Sequence, residues 1–576
     1  MRFDVLAIDY DGTIAERDVC HPKARRALDD ARQGGVTVVL ATGRVLSDLR
    51  RVAGDLEFAE AVVAENGAVL TFPRSGRTIR QHGPPDPAFV AELRRRGVSV
   101  TLGECIVEAD AAAAPVILDV IRASELPLVL AFNRARVMVL PQAVSKATGL
   151  REVLGALRLS THNTLAIGDA ENDHELLAAA EVGVAVRWGS PALCRVADLV
   201  LEGTGPAALP SFLAPLVRTR RLPPANGRRR VLLGQTDEGR PVTLAIRDRN
   251  VLVSGDPRSG KSWVAGLLTE QLMLARYCVA VIDPEGDYHT LEALPGTRVI
   301  GEDRAPAPGD IERAFRFPDG ALVIDLSHVK HARKLEYMST LLPALAALRG
   351  WRGLPHRVVV DEAHYFLRDL DADVGRDVAH GGYTFITYRP SELGADLVGA
   401  LGVVIATRTT DAREAEALAQ CCGPGVDRPR LVALLAGLST SEAVLLPSAE
   451  EAGDAFVRFK VAPRLTPHVR HRHKYADLPV PRRQQFVFTG VPGAPAAVSL
   501  AGFVSIVEQL EADALRDHLR RHDFSRWLAE VFGDETLART VAAIEDAHVV
   551  GTGADAGGAV VAAIRDRYAV KDAPVP

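Results

Sequence analysis

Residues 7–16 read AIDYDGTIAE, and the placing of two aspartates in that stretch decides how the first third of the chain is read. Asp9 and Asp11 stand one residue apart, where the mostly apolar run FDVLAID gives way to a turn at Gly12. In an open α/β sheet, ligands bind beyond the carboxyl ends of the strands. Two carboxylates at such a tip can share one Mg²⁺, a hard cation that wants oxygen ligands. One can attack phosphorus to form an aspartyl-phosphate, and the other can protonate a leaving oxygen and then activate water. An Asx-turn at a strand end would account for the pair taken alone. Three further elements follow in a fitting order. LATGR, 40–44, ends the next strand and offers Thr42 as a phosphate ligand, with Arg44 beside it as a further candidate. PQAVSKATGL, 141–150, supplies Lys146. LAIGDAENDHELL, 165–177, puts Asp169 and Asp173 at another strand tip that leads into a helix, with Asn172 between them.

Outward from these motifs, apolar β-rich runs at 3–9, 36–41, 61–64, 164–168 and 182–186 alternate with amphipathic stretches such as PKARRALDDARQGG. That alternation predicts a parallel sheet covered by helices. Residues 72–140 interrupt it and read as an inserted sheet-and-helix cap. Together these residues resemble the haloacid dehalogenase superfamily of phosphatases, in its large-cap, Cof-like subgroup; AENGA, 64–68, looks like that subgroup too. The resemblance implies Asp9 as nucleophile, Asp11 as general acid/base, and Thr42 and Lys146 as phosphate binders. It implies Mg²⁺ held by Asp9, the backbone carbonyl of Asp11 and Asp169, supported by Asn172 and Asp173.

A second phosphate motif lies about 250 residues on. GDPRSGKS, Gly255–Asp256–Pro257–Arg258–Ser259–Gly260–Lys261–Ser262, follows the strand NVLVSG and opens a helical stretch. This is the strand–loop–helix context in which backbone N–H groups cradle phosphates. Lys261 would reach the β- and γ-phosphates of ATP and Ser262 would bind Mg²⁺. HRVVVDEAHYF, 356–366, supplies Asp361 at a strand tip for Mg²⁺ and Glu362 to polarise water. With AVIDPEGDYHTLE, 280–292, these stretches resemble the ring-forming DNA-pump ATPases of the HerA and FtsK type, which implies a hexameric ring. Thr387 stands where that group places an amide, and Arg408, in VVIATRTTD, is the candidate arginine acting on a neighbour's site. Strands are expected at 249–254, 278–283, 321–326, 357–361, 383–387 and 402–406.

The expected fold class is therefore α/β. It comprises two doubly wound parallel-sheet domains (Rossmann-like at 1–217, P-loop at 231–478), a small α+β cap, and a small C-terminal α+β domain at 479–576. RTRRLPPANGRRR, 218–230, reads as a basic linker. The net charge of -5 over 576 residues excludes a globally basic nucleic-acid binder. The six cysteines form no CxxC pair, which points to reduced thiols and a cytoplasmic protein, and no apolar run is long enough to span a membrane. HVRHRHKY, with His468, His471 and His473, reads as a solvated basic surface, and GTGADAGGA, 551–559, as a flexible turn. The expected function is a bifunctional enzyme: a Mg²⁺-dependent phosphomonoester hydrolase acting on a phosphorylated small molecule, joined to an ATP-hydrolysing domain and assembling as a homo-oligomer. The alternatives are a nucleic-acid end-processing phosphatase with a DNA or RNA motor, and a phosphatase that is the output of a nucleotide-gated sensor.

Overall fold

The computed structural model describes residues 1–225, 227–301, 304–422, 426–446, 456–467, 480, 482–491, 493–532, 534–551 and 555–568. His468, His471, His473 and the expected boundary at 478/479 lie outside these residues. Among the described residues, no helix is long and apolar enough to cross a membrane.

The first unit is built on an eight-stranded sheet in the order Leu199–Leu201, Val182–Val186, Thr164–Gly168, Val5–Asp9, Thr37–Ala41, Ala61–Ala64, Val69–Phe72, Arg77–Arg80. The first six strands are parallel and the last two antiparallel. Val5–Asp9, Thr164–Gly168 and Val182–Val186 are buried at every position, as strands covered by helices on both faces must be. Three adjacent strands thus end side by side: Asp9 closes one, Thr42 follows the second, and Asp169 follows the third.

The insertion expected at 72–140 holds a four-stranded antiparallel sheet of Leu128–Asn133, Arg136–Pro141, Val107–Asp110 and Val100–Leu102, with helices Pro87–Arg95 and Ala114–Ala123. Residues 77–80 belong instead to the main sheet, because Arg77–Arg80 pairs along its whole length with Val69–Phe72. The period-2 alternation of Arg136–Pro141 ties the two layers together. Val137 and Val139 pack into the insertion's own core with Phe89, Leu93 and Ile117, while Met138 and Leu140 pack into the core of the main sheet.

The second unit contains an eleven-stranded sheet. Seven parallel strands run in the order Leu401–Ala406, Asn250–Ser254, Tyr383–Thr387, Arg357–Val360, Val279–Asp283, Ala321–Asp325, Thr297–Ile300. Four antiparallel strands extend it beyond Leu401–Ala406. The C-terminal module corrects an expectation. Its described residues form helices, from Leu500–Gln509 to Ala556–Arg567, with a single isolated bridge, Phe486 to Ala497, in place of strands. The apolar stretch after Phe486 carries Gly490, Gly493 and Pro495, which break strand pairing. Of the stretch 551–559, residues 552–554 lie outside the described residues, and 556–559 open the helix Ala556–Arg567, capped by Asp555 on the N–H of Gly558.

The units meet in a buried polar seam. His162 points Nδ1 at Glu181 (2.8 Å) and Nε2 at the carbonyl of Ala275 (2.9 Å), and it stacks on Tyr277 with ring centroids 3.7 Å apart. The Tyr277 hydroxyl donates to Glu181 at 3.2 Å. His356 accepts the N–H of Cys278 at Nδ1 and donates from Nε2 to Asn163 Oδ1, both bonds near 2.8 Å in length (2.8 and 2.7 Å). Burial opposes ionisation of Glu181, but the hydrogen bond from His162 and the charges of His162, Arg229 and Arg247 outweigh it and hold the carboxyl below its ordinary range. A carboxyl depressed in the folded state contributes stability above its unfolded pKa and loses it as pH falls. Glu181→Ala, which leaves buried cationic partners uncompensated, is expected to lower unfolding free energy by about 3–5 kcal/mol in urea titrations at pH 7. For Glu181→Gln the deficit relative to wild type is expected to narrow as pH drops below about 4.3, the unfolded value of a glutamate.

Candidate active sites

Lys146 is the centre of the first site. Ser145 caps the helix Lys146–Leu157 in a reciprocal box with Thr148, which fixes Lys146 as the first helical residue. Its side chain is fully buried, and Nζ donates to Asp9 Oδ1 at 2.6 Å and Asp173 Oδ1 at 2.7 Å. Asp173 Oδ2 accepts the N–H groups of Asp169 (3.0 Å) and Ala170 (3.1 Å), so the loop after the strand Thr164–Gly168 is pinned to the same carboxylate. Burial lowers the Lys146 ammonium, yet Asp173 and Asp9 more than reverse this and raise it above its ordinary value. Burial pushes Asp9 well up; Lys146 pulls it down, and Asp173, Asp169 and Asp11 push it further up.

Asp9, Asp169 and Asp173 offer oxygens all within 4.8 Å of one another, and the buried Asp169 Oδ1 has no hydrogen-bond partner among the described residues. A cluster with this excess of carboxylate oxygen fits a hard divalent cation. Asp11 faces the mouth, where Arg44 grips it in a fork, Nε to Oδ2 at 2.7 Å and Nη2 to Oδ1 at 2.6 Å. Arg44 also holds Asp18 and, at 2.7 Å, Asp48. Thr42 is fully buried, and its hydroxyl accepts the N–H of Arg44. Asn172 donates to Asn66 in the AENGA stretch at 3.3 Å. Glu65 of that stretch accepts the N–H groups of Glu104 and Cys105 and so ties the insertion to the core. Gly12 sits at φ 80°, and a Cβ there would run into Asp169 and Arg134. Residues 9, 42, 146, 169 and 173 therefore converge, with 11 and 44 at the rim.

Two site contacts escaped the sequence reading. Trp188 donates from Nε1 to the Gly12 carbonyl at 2.7 Å, and Arg134 of the insertion reaches Asp169. Nothing in AFNRARVMVL separates Arg134 from Arg136, which pairs with Glu108 instead. The hairpin turn decides between them.

At the second site the strand Asn250–Ser254 runs into the 255–260 loop and the helix Lys261–Leu274. Gly255, at φ 154°, lies against the Thr407 hydroxyl. The segment 407–410 holds the loop: Asp256 N–H donates to the Arg408 carbonyl (2.8 Å), Ser259 and Thr407 hydroxyls meet at 2.5 Å, and Thr410 donates to Asp256 Oδ2 from N (2.9 Å) and Oγ1 (2.6 Å). Pro257 and Arg258 form the crest, and Arg258 adopts φ 63°. Lys261 Nζ donates to the Asp256 carbonyl at 2.9 Å, and Ser262 follows it in the helix. The strand Tyr383–Thr387 separates the loop's strand from Arg357–Val360, so Lys261, Thr387 and Asp361 share one sheet edge. Glu362 has φ 49°, a strained backbone for a glutamate. His364 lies between it and Thr387, with Nδ1 3.6 Å from Glu362 Oε2 and 3.0 Å from the Thr387 hydroxyl. Burial pushes His364 down to about 3, so the ring is neutral. Asp283 ends the next strand; burial and the carboxylates of Asp287, Asp361 and Asp325 push it up to about 7.

The basic junction is largely consumed within the chain. Arg220 pairs with Asp4, Arg228 with Asp198 and Arg229 with Glu181, and Arg230 bonds Thr243.

Residues 6–90 and 123–207 match the family described as haloacid dehalogenase-like hydrolase. The chain is 30% identical over 233 residues to a phosphoglycolate phosphatase of Methanopyrus kandleri, covering 37% of this chain and 97% of that protein. It is 31% identical over 223 residues to one from Aeropyrum pernix, covering 35% and 88%. With one from Methanothermobacter thermautotrophicus the figures are 28% over 202 residues, 34% and 90%. The matched segment, with its Asp9, Lys146 and Asp169 gathered at one sheet edge, belongs to the haloacid dehalogenase-like hydrolases.

Proposed function

We propose that the first unit hydrolyses phosphomonoesters of small molecules through an aspartyl-phosphate on Asp9, and that the second binds and hydrolyses ATP. The observation that carries the first reading is the buried Lys146 held between Asp9 and Asp173, beside the unsatisfied oxygen of Asp169. Asp9 attacks phosphorus as the bond to the leaving oxygen breaks, and Asp11 hands that oxygen a proton. Asp11 then takes a proton from water as the water attacks the phosphoryl group, which frees orthophosphate and restores Asp9. Lys146 and Thr42 hold the phosphoryl oxygens, and Arg44 sets the direction of Asp11. Asp9, Asp169 and Asp173, with the Asp11 carbonyl, would hold Mg²⁺, which supplies charge neutralisation at the phosphate. The relatives' names make phosphoglycolate the first substrate to test.

The second reading rests on the loop at 255–262 lying on the same edge as Asp361 and Glu362. There Glu362 would polarise the attacking water, and His364 with Thr387 would set its orientation. Ring assembly with Arg408 reaching a neighbour is an extension of this reading. Binding of nucleic acid at the 218–230 linker gains no support, since Arg220, Arg228 and Arg229 are paired with carboxylates.

Phosphate release from 2-phosphoglycolate with Mg²⁺ is expected to vanish in Asp9→Asn, and ATP hydrolysis in Lys261→Ala. Loss of both activities from either folded single variant would refute two separate sites. Lys146→Met strands two buried carboxylates and is expected to cost about 3–5 kcal/mol of stability. Adding Asp173→Asn should restore part of that loss in a denaturation double-mutant cycle.

A further inference from the structure

We propose that Arg134, at the tip of the insertion's hairpin, selects substrates that carry a second anionic group, a carboxylate, beyond the phosphate. This assignment rests on the phosphatase reading above and names the substrate class of that site. Leu128–Asn133 and Arg136–Pro141 pair in full register down to Asn133 and Arg136, so Arg134 is forced into the turn between them. It adopts φ 53°, and its N–H donates to Glu171 Oε2 at 3.2 Å, which pins the turn to the loop that follows Asp169. From there Nη2 reaches Asp169 Oδ2, and the guanidinium lies over Gly12. Among the described residues, Arg134 is the only charged side chain of the insertion that pairs with a carboxylate of the Asp9–Asp169–Asp173 cluster.

Three cations border the site, and two are each shared among several carboxylates. Lys146 is enclosed by Asp9 and Asp173, and Arg44 is shared among Asp11, Asp18 and Asp48. Arg134 differs. Its side chain stays 58% exposed although its partner Asp169 is only 1% exposed. Only Nη2 has a side-chain acceptor, and Nε and Nη1 make no hydrogen bond among the described residues. The guanidinium thus spans the boundary between the buried carboxylates and the entrance, with donors left over on a planar fork that matches a carboxylate. A neutral leaving group has no use for that fork. A leaving group bearing a carboxylate would otherwise face Asp11, Asp169 and Glu171 without a counter-charge.

The test compares 2-phosphoglycolate with 2-hydroxyethyl phosphate, which has similar length but a hydroxyl in place of the carboxylate. Full-length wild type, Arg134→Ala and Arg134→Lys are assayed with Mg²⁺, and inhibition by glycolate is measured in parallel. Wild type is expected to prefer phosphoglycolate in kcat/KM. Arg134→Ala should lower that preference about ten- to a hundredfold, chiefly through KM, as expected for removal of a hydrogen bond to a charged group. Glycolate inhibition should weaken in step, and Arg134→Lys should keep part of the preference by charge without the fork. An equal loss on both substrates, or a wild type without preference, would overturn the assignment. A wild type that hydrolyses neither substrate and is indistinguishable from Asp9→Asn would instead overturn the phosphatase reading, and this assignment with it.

Discussion

One buried ammonium organises the first unit. Lys146 is taken wholly out of water, a step that is affordable only because two carboxylates meet it within hydrogen-bond distance. Those two contacts bring three separate stretches of chain to one point: the strand ending at Asp9, the helix that Ser145 caps, and the loop from Asp169 to Asp173. The pairing is local in space and remote in sequence, with Asp9 and Lys146 separated by 137 positions. Neither partner can be removed without leaving charge behind in an apolar surround. The same demand holds the carboxylates close enough for a cation to bridge them.

The second unit solves a similar problem with backbone instead of side chains. Its loop takes its shape from the 407–410 segment, which supplies a carbonyl, two hydroxyls and an N–H to residues 256 and 259. In both units the candidate site residues gather at the carboxyl edge of a parallel sheet, where several strand ends lie side by side. Order across the sheet matters more than order along the chain. Thr387 lies between Lys261 and Asp361 in space although it follows both in sequence.

The motifs were legible because each is a strand tip followed by a turn, and apolar runs locate strand tips well. The parallel strands at 250–254, 279–283, 321–325, 357–360, 383–387 and 401–406 stand where continuous apolar runs placed them. What stayed hidden depends on partners distant in sequence. The junction reads as a basic linker, yet the acceptors of Arg228 and Arg229 lie some fifty residues earlier, at Leu177, Ala180 and Glu181. The pairing of Arg77–Arg80 with Val69–Phe72 extended the main sheet into what reads as insertion, because a hairpin can join either sheet and sequence does not say which. The C-terminal module read as α+β because apolar content alone does not separate a buried helix from a strand. Its aromatic core of Phe486, Phe503, Phe524 and Trp527 is held by helices.

The seam between the units has a directional consequence. The strand that leads to Asp169 begins next to Asn163, and the strand that leads to Asp361 begins next to His356, and those two side chains are bonded to each other. The helix that opens with Lys261 also ends beside the seam, where the Ala275 carbonyl receives His162. The two sheets are therefore joined root to root. Each candidate site lies at the end of its strands remote from the joint, so the loops and the insertion around it can change without touching the surface that holds the halves together. The seam behaves as a graft union: it fixes the stocks and leaves the growing tips independent.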